Sequence, residues 1–192
     1  MGDPAEKLPR ATYADLEAVP RHLVAELIEG VLHTFPRPAP AHANTAAALT
    51  TELRGPFGHG KGGPGGWRIL VEPELHLDGD VVVPDLAGWR VERMPWLPRE
   101  AFISLPPDWL CEIASPSTAA YDRAEKMPLY ARAGVTWAWL LDPLARLLEV
   151  LHLGPRGRWV LEQVFRGDGK VLAQPFEAVE LDLAALWPEF EE

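Results

Sequence analysis

The sequence predicts a mixed α/β (α+β) fold in which short strands outnumber helices. Two observations lead there. Sixteen glycines and twenty prolines among 192 residues fall between apolar segments and cut the chain into many short elements. Only two stretches, 41–54 and 117–133, read as substantial helices, and strands surround both, which is the pattern of a sheet flanked by helices. A chain of 192 residues can bury one sizeable core and would be cramped as two domains, so residues 1–192 are expected to form a single domain.

Taken in order, residues 12–19 read as a short helix with Thr12 as N-cap. Residues 23–35 read as two strands joined at Glu29-Gly30. Residues 41–54 (AHANTAAALTTELR) are alanine-rich and lack Gly and Pro, so they favour a helix. The segment 55–66 carries seven glycines and is expected to be a flexible loop. Strands follow at 67–72, 74–77 and 80–88. The proline-rich stretch 90–107 should be irregular with a helical turn, and 108–114 (DWLCEIA) reads as a buried strand. The helix at 117–133 starts at the Ser/Thr cluster Ser115-Pro116-Ser117-Thr118 and stops at Gly134. Strands at 136–142, 146–153 and 158–166, a turn at Gly167-Asp168-Gly169, a short strand at 170–173 and a helical turn at 182–187 complete the chain.

Bulk properties narrow the function classes. Hydrophobic residues make up 47% and charged residues 24%, as in an ordinary globular protein. No run approaches the ~18 apolar residues of a membrane span. The N-terminus MGDPAEKLPR lacks the layout of a secretory leader, so a cytoplasmic location is expected. One cysteine, Cys111, excludes an internal disulfide framework and an all-cysteine metal site. The net charge of −10 counts against a broad basic footprint for duplex DNA, although a local basic strip can coexist with an acidic whole.

Three segments carry candidate chemistry. In Val81-Val82-Val83-Pro84-Asp85, strand alternation puts Val81, Val83 and Asp85 on one face. Asp85 there either caps a turn after Pro84 or binds a partner or cation. In Asp108-Trp109-Leu110-Cys111-Glu112-Ile113-Ala114, Glu112 interrupts an apolar strand and shares a face with Leu110. A buried, ionised Glu needs an arginine, a lysine or a cation, so Glu112 reads as a structural ion pair or a site residue. Cys111 alternates to the face of Trp109 and Ile113 and reads as core. Asp122, Lys126 and Tyr130 lie at i, i+4 and i+8 of the following helix. That pairing alone is surface decoration. Because the helix begins just after the Glu112 strand, Lys126 can instead point toward Glu112. Two carboxylates at neighbouring strand ends with a lysine nearby are what phosphodiester hydrolysis needs: hard oxygen ligands for Mg²⁺ or Mn²⁺, and a cation to steady developing charge.

The ordered set Pro84-Asp85, Glu112 to Thr118 (EIASPST), Asp122 to Lys126 (DRAEK) and Tyr130 to Val135 (YARAGV) resembles the Uma-two family, described as bacterial restriction endonucleases within the PD-(D/E)XK nuclease superfamily. Leu141-Asp142-Pro143 fits it, as does Glu26-Leu27-Ile28-Glu29-Gly30 followed by Pro38, Pro40 and His42. The resemblance spans about residues 12–187. It implies a restriction-endonuclease-like core, a mixed sheet flanked by helices with additional antiparallel strands. It implies that Asp85 and Glu112 are the metal-binding acids. The superfamily usually sets a lysine two residues after the second acid. Here that position is Ala114, and the resemblance moves the lysine to Lys126. Glu29 would be an additional acid from the N-terminal part, with the alternative of a plain strand-end Glu before a glycine turn. Asp122 would orient Lys126, while Ser115, Ser117 and Thr118 read as helix caps, and His42 either faces the site or is a polar residue at a helix start.

The expected activity is Mg²⁺-dependent (or Mn²⁺-dependent) cleavage of nucleic acid, DNA in the first instance. Cutting both strands of a duplex favours a homodimer. The competing expectation is a non-catalytic member of the same fold that binds nucleic acid or protein, and a third is a hydrolase of another phosphoester. Gly55 to Lys61 (GPFGHGK) matches the first seven positions of a phosphate-binding loop, but Gly62 stands where Ser or Thr should hold Mg²⁺ and the segment follows a helix, which excludes an NTPase site. Arg54, His59, Lys61 and Arg68 read as ordinary loop residues before an arm over nucleic acid. Trp137 and Trp139 share a strand face and read as core or dimer packing.

Overall fold

The computed structural model describes residues 10–190, so the N-terminal segment read for a leader lies, but for Arg10, outside the described residues. A one-turn helix α1 (Tyr13–Glu17) is closed by a capping box, Thr12 accepting from the Asp15 N–H and Asp15 accepting from the Thr12 N–H. The hairpin β1 (Leu23–Ile28) and β2 (Val31–Pro36) turns at Glu29 (φ 53°) and Gly30 (φ 80°), both in the left-handed region that a tight turn requires. Helix α2 (Pro40–Leu53) follows, with Pro40 at its start, where the missing N–H costs nothing. It buries Thr45, Leu49 and Leu53 at four-residue spacing.

The glycine-rich segment is not all loop. Arg54–Gly58 continues α2 as a π-helical turn, closed by His59 N–H donating to the Arg54 carbonyl. Pro56 supplies no N–H for a regular ladder, and the widened turn accommodates it. Beyond it, the segment to Gly66 is irregular, as expected.

The strands β3 (Trp67–Val71), β4 (Leu75–Leu77), β5 (Asp80–Val82) and β6 (Leu86–Arg90) follow. The expected continuous strand 80–88 is therefore two strands. They also belong to different sheets: β5 lies in the four-stranded antiparallel sheet β2-β1-β5-β4, and β6 in the six-stranded sheet. Pro84 has no N–H for a ladder, so pairing ends there and the chain crosses from one sheet to the other at Val83-Pro84-Asp85. The shared strand face expected for Val81, Val83 and Asp85 does not exist, because only Val81 is in a strand.

The larger sheet adds β7 (Trp109–Ile113), β8 (Trp137–Asp142), β9 (Leu147–Gly154) and β10 (Arg158–Arg166), in the order β10-β9-β8-β7-β6-β3. All its neighbours are antiparallel except β7 and β8, so the sheet is mixed. A parallel pair cannot be joined by a hairpin and needs a crossover. Here the crossover is the helical segment α3 (Ala119–Tyr121), a π-helical turn Asp122–Lys126 and α4 (Met127–Arg132), ending at Gly134 with φ 79°. Strands β11 (Lys170–Val171) and β12 (Leu181–Asp182) form a small pair before a 3₁₀ turn at Leu183–Leu186.

The large sheet separates two cores. On one side Trp109, Cys111, Ile113, Trp139 and Leu141 pack against Leu49, Leu53 and the C-terminal Leu186 and Trp187, with Trp137 partly buried against the same cluster. On the other side Leu110, Ala138 and Leu140 pack against Met127, Leu129 and Tyr130 of the crossover. Glu112 shares the face of Leu110, as strand alternation requires, and therefore points toward the crossover.

Candidate functional site

A cavity of about 550 Å³ lies at the junction of the two sheets, lined by β1, the start of α2, the Pro84 crossing, the end of β7 and the first turns of the crossover helix. Asp85, Glu112 and Lys126 all line it. Each arrives for a local reason. Asp85 sits where the chain leaves one sheet for the other, and its Oδ2 accepts the Ile113 N–H at 2.6 Å, tying it to the end of β7. Glu112 enters from the middle of the sheet on the polar exception of an apolar strand. Lys126 closes the π turn, in which Met127 N–H donates to the Asp122 carbonyl one residue further back than in an α-helix. Pro128 lacks an N–H and crowds the carbonyl four residues before it, which the wider turn relieves. Lys126 and Tyr130, four residues apart, both reach the same carboxylate.

Lys126 Nζ lies 2.9 Å from Glu112 Oε1 and 3.0 Å from Oε2, 3.1 Å from Glu26 Oε1, and donates to the Val83 carbonyl at 3.0 Å. Asp122 Oδ1 stands 4.0 Å from the same ammonium. Tyr130 donates its hydroxyl to Glu112 Oε1 at 2.6 Å. Side-chain exposure is 5% for Lys126 and 3% for Glu112, so this is a desolvated network. Burial disfavours the Glu112 carboxylate most, Lys126 pulls the other way, and Asp122, Asp85 and Glu26 add to the burial, so its pKa lies well above the usual range. Burial likewise works against the Lys126 ammonium, but Glu112 and Glu26 outweigh it and hold the lysine charged. Asp122 is pushed up to about 6, by burial first and by Asp85 and Glu26 against the pull of Lys126.

His42, read as either a site residue or a helix-start residue, faces the cavity, with Nε2 3.2 Å from Asp85 Oδ1. Burial pulls its imidazole toward the neutral form, but Asp85 and Glu72 prevail and raise its pKa. Its Nδ1 is buried with no hydrogen-bond partner.

Glu29 is not at the cavity. It occupies the hairpin turn with its side chain 69% exposed, 3.4 Å from Arg132 Nη2. The plain strand-end alternative for Glu29 describes its position. The N-terminal acid that does line the cavity is Glu26, three residues earlier, which accepts the Val83 N–H at 2.8 Å as well as contacting Lys126. Glu26 carries the signal that marked Glu112: a carboxylate in the middle of an apolar strand, Leu23–Ile28. Ser115 accepts the Thr118 N–H at 3.2 Å, as a capping residue does. Arg68 donates to the Met94 and Pro95 carbonyls and is a structural residue of its own region.

Among the described residues no three His, Cys, Asp or Glu side chains converge closely enough to hold an ion by themselves. The donor chemistry nonetheless suits a hard divalent cation. Six carboxylates line the cavity (Glu26, Glu72, Glu74, Asp85, Glu112 and Asp122) against the two full cations Lys126 and Arg37. Glu112 Oε2 receives only Lys126, and each Asp85 oxygen receives one donor, so acceptor capacity remains on both acids. Mg²⁺ commonly takes only one or two carboxylates and keeps several waters.

The sequence model of the Uma2 family, described as "Putative restriction endonuclease", matches residues 10–184. No curated protein sequence matches the chain. Among solved structures, the crystal structure of a protein described as a "putative nuclease belonging to DUF820" from Anabaena variabilis ATCC 29413 is similar, with a TM-score of 0.68 and 20% sequence identity, covering 92% of this chain and 97% of the other. At that identity the likeness is one of fold. No helix among the described residues is long and apolar enough to cross a membrane. With the two sheets, the parallel β7/β8 pair and the EIASPST and DRAEK segments all inside the matched range, the chain belongs to the Uma2 family, with a restriction-endonuclease-like fold.

Proposed function

We propose that this protein is a Mg²⁺-dependent (or Mn²⁺-dependent) endonuclease that hydrolyses phosphodiester bonds of nucleic acid, DNA in the first instance. Asp85 and Glu112 hold the metal and Lys126 assists. The observation that carries the reading is the convergence of Lys126 on Glu112 within 3.0 Å, beside Asp85, in a cavity rich in carboxylates. We also propose that the chain acts as one domain, because β1 of the small sheet and β7 of the large sheet line the same cavity.

Bound to Asp85 and Glu112, the metal supplies phosphate polarisation and a more acidic water. The chain's own residues supply the rest. Lys126 carries a fixed positive charge in a desolvated setting, where it stabilises negative charge developing on a phosphate oxygen more strongly than in water. Tyr130 and the Ile113 N–H fix the rotamers of Glu112 and Asp85, so little reorganisation is needed. Glu26 takes the role expected of Glu29, contacting Lys126 as Glu112 does.

The test is cleavage of a panel of plasmid and oligonucleotide substrates with Mg²⁺ and with chelator, in the parent, Asp85→Ala and Lys126→Ala. Metal-dependent cleavage lost in both variants is expected. Cleavage unchanged in both would sink the residue assignment. A second reading, a non-catalytic binding member of the family, is favoured by one observation: Lys126 already engages both Glu112 oxygens as a closed ion pair. Calorimetry with Mg²⁺ separates the two, since an idle scaffold shows no Asp85-dependent binding of the ion.

A further inference from the structure

We propose that the cavity admits one unstacked nucleotide, its base against the apolar lining and its phosphate toward Lys126, so that the substrate is a single strand rather than a closed duplex. This rests on the nuclease reading above and narrows its substrate class. The depth of the acids is the first argument. Side-chain exposure is 3% for Glu112, 5% for Lys126 and 16% for Asp85. The phosphates of an intact duplex lie on the outside of a wide rod, and groups this far below the surface reach them only if the nucleotide leaves the stack.

The cavity lining also has an apolar part. Leu23, Val24, Phe35 and Pro36 from β1 and β2 line it together with Tyr121 from the crossover helix. A site for phosphate alone has no use for an apolar wall, whereas a base does. Tyr121 is held by its neighbours, with ring centroids 4.7 Å from Phe35 and 4.9 Å from His33. Its hydroxyl is buried at the cavity lining without a hydrogen bond of good geometry, and Glu26 is the carboxylate beside it. Such a group costs free energy unless a ligand satisfies it, and the edge of a base carries both donors and acceptors. Burial and the charge of Glu26 keep that hydroxyl protonated, hence able to donate. The volume, about 550 Å³, lies in the range of sites that hold one small ligand and is far too small for a double helix. Charge points the same way. With six carboxylates around the cavity and −10 overall, the protein repels a duplex, which brings about one charge per 1.7 Å of axis, more strongly than a single strand, whose charge density is lower.

The experiment uses the full chain and two probes: a fluorescent twelve-residue oligodeoxythymidylate, and the same strand annealed to oligodeoxyadenylate. Cleavage is followed with Mg²⁺ and binding by anisotropy with Ca²⁺. The single strand is expected to bind and be cut at least about tenfold better than the duplex. Val24→Phe, which fills the apolar wall, is expected to remove that preference. Tyr121→Phe, which keeps the ring and deletes only the hydroxyl, is expected to raise KM several-fold with little change in kcat. Equal or better handling of the duplex overturns the inference while leaving the nuclease intact. Selective binding of the single strand without cleavage leaves the inference standing and overturns the nuclease. No binding of either probe overturns both. If Val24→Phe fails to fold, the probe comparison on the parent and the Tyr121→Phe variant decide alone.

Discussion

Replacing Lys126 by methionine keeps most of the side chain's volume and removes its charge. In the parent the ammonium is the nearest positive group to Glu112 and Glu26, at 2.9 and 3.1 Å, and the lysine, Glu112 and Glu26 are all nearly inaccessible to solvent. Removing one partner of a buried pair leaves the other charge uncompensated, at a cost of roughly 3–5 kcal/mol. For a chain of this size each kcal/mol lowers Tm by about 2–4 °C, so a loss on the order of 10 °C is expected at neutral pH. The deficit has a definite pH dependence. Glu112 already has a pKa raised by burial and by its acidic neighbours, and losing Lys126 raises it further. The folded variant therefore binds protons that the unfolded chain does not. Its stability is greatest at low pH and falls as pH rises toward the folded pKa, so acidification narrows the gap to the parent. Added Mg²⁺ is expected to narrow it too, because a cation then stands among the same acids. Thermal unfolding by circular dichroism at pH 5 to 8, with and without Mg²⁺, measures all three. A Tm within about 2 °C of the parent at every pH would refute the account of Lys126 as the charge that makes this carboxylate cluster tolerable. The double variant Lys126→Met/Glu112→Gln is the internal control: if the pair is coupled, it recovers a substantial part of the lost stability.

Three further outcomes follow from particular contacts. Glu29→Ala should leave metal-dependent cleavage unchanged, because its side chain is exposed on the hairpin turn, whereas Glu26→Gln should reduce it at least about tenfold by loosening Lys126; equal effects in a cleavage assay would contradict the geometry. The Asp122 carboxyl, with a pKa raised to about 6, is protonated in both folded and unfolded chains below about pH 3.8 and ionised in both well above 6, so its contribution to stability declines as pH rises between those values; Asp122→Asn should flatten that part of the stability–pH curve, and a curve superimposable on the parent's would count against it. Gly88 lies in β6 between Trp109 and Trp67, where an added Cβ would stand 3.1 Å and 3.3 Å from their rings, so Gly88→Ala should cost about 1–3 kcal/mol by urea denaturation through overpacking, without touching the cavity.

How far the sequence revealed this site depends on which physical rule each residue obeys. Glu112 was legible because a strand has a two-residue period: a carboxylate between Cys111 and Ile113 had to face the side of Leu110, and there it meets Lys126. The strands and the crossover helix were legible for the same reason, as periodicity and caps are local, whereas the mixed sheet came from the family resemblance, because pairing direction is set by partners far away in sequence. Asp85 was found by type and neighbour, but the local argument for it was wrong. Val81 and Asp85 do not share a strand face, since the chain changes sheets at Pro84, and a switch between sheets is decided by pairing partners far away in sequence. Lys126 was ambiguous, because an i, i+4 Asp–Lys pair occurs on countless helix surfaces. What settles its direction is the buried pairing with Glu112 and Glu26, and the π turns at 122–126 and after α2 each accompany a proline, Pro128 and Pro56. Glu26 and Glu29 show the limit most clearly. Glu29 sits before a glycine, where a turn exposes it, and Glu26 sits among apolar residues, where only a partner makes it tolerable. The rule that singled out Glu112 selects Glu26 as well: in an apolar strand the carboxylate that has no business being buried is the one with a counter-charge waiting for it.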